Sequence, residues 1–117
     1  MTQLQAGQVV IVDWRDALPK EPNKQRPAIV VEDSDLFDPA YPNVLLVPLA
    51  DDPRLAIPDL ALTILPTTEN GCPKPCYALA HHVTATSKHR VSATSSNITQ
   101  AQLTQIRKLI ANAIGLG

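Results

Sequence analysis

Aromatic residues are nearly missing from the chain: one Trp, one Phe and two Tyr make up 3% of 117 residues. A core must therefore be assembled from Val, Ile, Leu and Ala, and an aromatic platform for stacking nucleobases is excluded as the main binding device. Charge of one sign is equally scarce. Ten Lys and Arg face eleven Asp and Glu, for a net charge of −1, so any polyanion site is a local patch rather than a property of the whole surface. No run approaches the roughly 18 apolar residues that span a bilayer, and the N-terminus shows no basic segment leading into an apolar one. These absences are read as a cytoplasmic protein. The length holds one domain, residues 1–117, with one modest core.

Cysteine is limited to two residues, Cys72 and Cys76, in Cys-Pro-Lys-Pro-Cys. Two thiols do not complete a tetrahedral zinc site, although His81 and His82 lie near enough in sequence to add nitrogens. The pair reads as structural thiols, with an oxidisable pair and a metal site as the alternatives. No cofactor motif is present: a Gly-rich phosphate loop, HExxH, GxSxG and paired CxxC are all missing.

What is present is a succession of short, β-branched runs. Gln8–Trp14, after Gly7, reads as a first strand whose two faces are not cleanly separated. The stretch Leu18 to Gln25, with Pro19 and Pro22, reads as a loop. Residues 27–32 form a second strand opened by a proline, which can stand first because it owes the ladder no N–H. Asp33 to Asn43 reads as a long surface connection, residues 44–49 as a third strand buried on both faces, residues 60–65 as a fourth and residues 77–86 as a fifth, with Arg90-Val91-Ser92 as a short edge piece. Leu103, Ile106, Ile110 and Ile114 then recur at helical spacing, and Thr99 with Gln102 fits a capping box. The expected fold is mainly β: a small SH3-like antiparallel barrel of about five strands with a C-terminal α-helix.

Two charged groups are candidates for chemistry. Lys20, Glu21, Lys24 and Arg26 cluster in and beside the first loop; His81, His82, Lys88, His89 and Arg90 cluster near the fifth strand. Brought together, they would suit a phosphodiester. Metal-free RNA cleavage needs a base for the 2′-hydroxyl proton, a cation for the phosphorane charge and a donor for the leaving oxygen, and the planar guanidinium of Arg fits the second role. Spacing alone equally allows a solvated loop and packed histidines.

The order of residues resembles the MazF/PemK family of toxins. Gly7-Gln8-Val9-Val10, the block Glu21-Pro22-Asn23-Lys24-Gln25-Arg26-Pro27-Ala28-Ile29-Val30-Val31, the block Asn43-Val44-Leu45-Leu46-Val47-Pro48-Leu49 and the terminal segment from Ile98 to Leu116 carry the likeness. The resemblance implies a homodimer, an endoribonuclease that cuts single-stranded RNA at short sequences without a metal, and a separate antitoxin as partner. It implies Arg26 as the catalytic or phosphate-holding arginine, with His81 and His82 corresponding loosely to proton-transfer positions. The loop carrying Glu21 would by the same likeness cover the site; in the ribonuclease reading Lys20, Lys24 and Lys88 hold flanking phosphates, and Glu21, Asp51 and Thr84 are further candidate RNA contacts. One position departs from the pattern: Ala50 stands where the family usually has Thr or Ser, and alanine can neither donate nor accept a hydrogen bond. Two further readings follow, a toxin-like module that binds antitoxin and RNA without cutting, and an unrelated small barrel.

Overall fold

The computed structural model describes residues 4–14 and 25–116. Lys20, Glu21 and Lys24 lie outside the described residues. Among the described residues seven strands and one α-helix follow in order: β1 Gln8–Asp13, β2 Gln25–Val30, β3 Asn43–Ala50, β4 Ala61–Ile64, β5 Cys76–Leu79, β6 Thr84–Ser87, β7 Val91–Asn97 and α1 Gln100–Ala113. All pairings are antiparallel; the path runs β4-β5-β3-β2-β1-β7, with β6 also on β3.

The expected count of five strands is corrected to seven, and the hydrogen-bonded sheet of the described residues is not closed into a barrel. The reason lies in strand direction. Following the antiparallel pairings from β6 through β3, β2 and β1 to β7, the two end strands run in the same sense. They are joined only by the three-residue 3-10 turn Lys88–Arg90. Parallel neighbours need a crossover of a dozen or more residues, so β6 and β7 cannot pair side by side through that turn.

The single strand expected over residues 77–86 is split as well. Ala50 faces Tyr77, but Leu46 faces Thr84 rather than the His81 that an unbroken register would bring there. The three extra residues are taken up by the 3-10 turn Ala80–His82, closed by the Val83 N–H on the Ala80 carbonyl at 3.2 Å. Pro48, with no N–H to offer, sits in the gap between the two partners of β3. β7 is longer than the edge piece expected at residues 90–92 and pairs with β1 across a bulge near Gln8 and Val10.

Two apolar clusters explain why the faces of β1 looked mixed. Val9, Ile29, Val47 and Leu49 pack with Ile98, Leu103 and Ile106 beneath α1, whereas Val10, Val12, Ala28, Val30, Val44 and Leu46 pack together on the other face. Strands buried on both sides read as continuous apolar runs. The helix is tied down by its expected capping box, with Gln102 N–H on Thr99 Oγ1 at 3.1 Å and Thr99 N–H on Gln102 Oε1 at 2.9 Å. Arg107 reaches from it to the carbonyls of Val31 and Glu32 at 3.0 and 2.9 Å.

Candidate functional site

Register brings the arginine to the third strand. Ala28 faces Pro48 and Val30 faces Leu46, and the same step continued two residues sets Arg26 level with Ala50. On the opposite side Ala50 pairs with Tyr77 at the start of β5. The turn that enters β5 therefore arrives beside the end of β3. Here a groove of about 550 Å³ is lined by Arg26 and Pro27, by Leu49 to Asp52 with Leu55, and by Pro73, Lys74 and Cys76.

Asp51 and Lys74 form an ion pair in this groove, Nζ to Oδ2 at 2.7 Å, both well exposed. The Lys74 hydrogen bond and charge hold the Asp51 carboxyl below its usual range, with a smaller pull from Arg26, and Asp51 in turn raises the Lys74 ammonium. An acid held down in this way is ionised at neutral pH and is a weak proton acceptor, so its effect is that of fixed charge. Asp52 is engaged separately. It caps the 3-10 turn Pro53–Leu55 through the Arg54 N–H at 2.9 Å and pairs with the Arg54 guanidinium at 2.9 Å.

The thiols flank the same turn. The buried Cys76 Sγ donates to the Lys74 carbonyl at 3.3 Å. Burial, and then the neighbouring Cys76, push the Cys72 thiol up to about 11, which keeps it protonated and poorly nucleophilic at neutral pH. Among the described residues no three His, Cys, Asp or Glu side chains gather as a metal-holding group.

The remaining residues singled out from the sequence lie elsewhere. His81 and His82 occupy the turn Ala80–His82, which packs against α1 and β4, and they do not line the Arg26 groove. Their rings stand edge to face with centroids 4.3 Å apart. Burial, then His81, lowers the His82 imidazole, and the buried His81 Nδ1 has no hydrogen-bond partner among the described residues. Thr84 opens β6 and lines a second groove with Trp14, Thr86, Ser87 and Arg90. Lys88 donates from Nζ to the Pro39 carbonyl at 3.0 Å, over the connection that leads into β3. Thus Arg26 and Asp51 are brought together, while Thr84, Lys88 and the two histidines are placed in other surroundings. Trp14 and Gln25 bracket the stretch holding Lys20, Glu21 and Lys24, and Asp13 pairs with Gln25 next to Arg26.

Lys74 was not singled out from sequence, because it lies between prolines in a segment that carries no period. The only signal pointing to it is the register of Tyr77 opposite Ala50, which is a property of the paired sheet.

Comparison with known proteins gives the following. The model of one protein family, described as PemK-like, MazF-like toxin of type II toxin-antitoxin system, matches residues 5–114. A search of curated proteins finds no match. Among solved structures, MazF from Deinococcus radiodurans superposes with a TM-score of 0.75 at 17% identity, over 98% of this chain and 99% of that one. A MazE-MazF structure from the same organism gives 0.73 at 17%, over 99% and 100%. An endoribonuclease from a mycobacterial species gives 0.71 at 20%, over 99% and 95%. At such identities these likenesses bear on the fold.

Proposed function

We propose, from the premise that this chain belongs to the PemK-like, MazF-like toxins of type II toxin-antitoxin systems, that it is a metal-independent, sequence-specific endoribonuclease acting on single-stranded RNA. The observation that carries the reading is the groove at the start of β2 and the end of β3, which Arg26 and Ala50 line together. Arg26 holds the scissile phosphate and stabilises the charge that builds on it as the 2′-oxygen attacks. His81 and His82 do not line that groove, so the reading rests on Arg26 and not on them. Thr84, Lys88, Lys20, Glu21 and Lys24 are assigned to flanking nucleotides, and Asp51 to the groove wall.

The protein acts in the cytoplasm as a single-domain homodimer and is neutralised by a cognate antitoxin. Support for the antitoxin comes from the family description and from similar structures described as MazE-MazF and as an endoribonuclease in complex with its cognate antitoxin. Among the described residues no helix is long and apolar enough to cross a membrane. The SH3-like description belongs to the same reading. It is supported by the strand order β7-β1-β2-β3-β6 with its ends joined through one short turn.

The test is incubation of purified protein with a long RNA in EDTA, with cuts mapped by primer extension. Discrete stops at a recurring short sequence are expected; intact RNA in the presence of folded protein refutes cleavage. A second reading, a module that binds antitoxin and RNA without cutting, is favoured by one observation: Ala50 brings no hydroxyl to the groove. Cutting that rises on Ala50→Thr marks an attenuated toxin, whereas RNA binding without cutting in both proteins marks the module.

A further inference from the structure

Arg26 is not the only cation in its groove. Lys74 lines the opposite wall, carried by the turn into β5, and this turn is held in place from three directions. Pro73 and Pro75 fix the backbone torsions on both sides of it. The buried Cys76 thiol donates to its carbonyl at 3.3 Å. Asp51, at the end of β3, holds its Nζ at 2.7 Å. A long lysine side chain ordinarily loses conformational freedom when it binds a ligand, and prior anchoring lowers that cost.

The ammonium has three N–H donors, of which Asp51 takes one, and the side chain is still 63% exposed. Donors are thus left for a further partner. Ala50, between Arg26 on one neighbouring strand and the approach to β5 on the other, contributes no hydrogen-bonding side chain. Among the described residues the site is therefore framed by two cations, with a lining that is otherwise apolar or acidic.

We propose that Lys74 is a second phosphate-binding residue of this groove, pre-set by Asp51 and the Pro73–Pro75 turn to hold an RNA phosphate together with Arg26. The inference rests on the RNA-directed reading above and adds a residue to it. Lysine acts here as a point charge, complementing the planar fork of arginine. The Asp51 carboxylate repels phosphate, and its pairing with Lys74 offsets that repulsion.

The experiment measures binding of a fluorescein-labelled, 2′-O-methyl single-stranded RNA, which cannot be cut, by wild type, Lys74→Gln and Lys74→Arg over a range of salt. The replaced side chain is exposed, and matched melting temperatures establish that the variants are folded. Lys74→Gln is expected to weaken binding about tenfold and to reduce the slope of log affinity against log salt by roughly 0.7, the share of one phosphate contact on a single strand. Lys74→Arg, which keeps the charge, is expected to bind within about threefold of wild type. A Lys74→Gln variant that binds as tightly as wild type with an unchanged slope overturns the inference, and if the wild type cuts RNA the ribonuclease reading survives it. A wild type that binds but does not cut, with weakened binding in Lys74→Gln, supports the phosphate contact and removes the ribonuclease reading. A wild type that neither binds nor cuts overturns both.

Discussion

Replacing the same residue type at two places on one helical stripe should have very unequal consequences for stability. Ile106 is 0% exposed and packs beneath α1 against the sheet, whereas Ile114, two helical turns on, caps the helix and is 65% exposed. Ile106→Ala removes three carbon groups from a filled core, a transfer loss of about 2.4 kcal/mol at roughly 0.8 kcal/mol each. A vacated volume of roughly 60 Å³, at about 24 cal/mol per Å³, adds at most about 1.5 kcal/mol if nothing relaxes. Partial collapse brings the expected loss to about 3 kcal/mol. Taking roughly 2.1 cal/mol/K of unfolding entropy per residue over 117 residues, this lowers Tm by roughly 12 °C. Ile114→Ala should stay within about 0.5 kcal/mol, or roughly 2 °C. Calorimetry on the two variants and the wild type measures both. Equal shifts at the two sites would refute the placement of α1 on the sheet.

Two smaller effects follow from single interactions. Thr99→Ala removes the acceptor for the Gln102 N–H and should cost about 1 kcal/mol, read as a lower denaturant midpoint with unchanged slope; no change would contradict the capping box. Cys72 should make stability fall on the alkaline side. Below the ordinary thiol value of 9.0 both folded and unfolded states are protonated; between there and about 11 only the unfolded state ionises, so stability is lost over that window. Cys72→Ser should flatten the fall, and an unaltered alkaline profile in that variant would refute the assignment.

The helix, its cap and the strand centres are legible in the sequence because each is encoded locally. Leu103, Ile106 and Ile110 repeat at one period, and Thr99 and Gln102 lie one turn apart. β7 is the counterexample. Val91-Ser-Ala-Thr-Ser-Ser-Asn97 holds little that is large and apolar, yet it pairs along β1 because Thr94 Oγ1 donates to the Val9 carbonyl and Gln8 Nε2 donates to the Thr94 carbonyl at 2.9 Å. Those partners are some 85 residues apart, and no local pattern announces them. The break at Ala80–His82 was hidden for a similar reason: residues 77–86 alternate well enough for one strand, and only the two separate registers on β3 force the turn. The site divides in the same way. Arg26 stood out by its place before a proline at the start of a strand, whereas Lys74 enters the groove through pairing between β3 and β5 and through an ion pair with Asp51.

The central claim is that Arg26 performs the charge stabilisation of metal-free RNA cleavage, and single-turnover cutting of one RNA in EDTA by wild type and Arg26→Ala tests it most directly. Arg26 is exposed on β2, so the variant should melt with the wild type, while its cleavage rate should fall on the order of a hundredfold, about 3 kcal/mol of transition-state stabilisation. A wild type that cuts in EDTA and an Arg26→Ala variant that cuts at the same rate would contradict it.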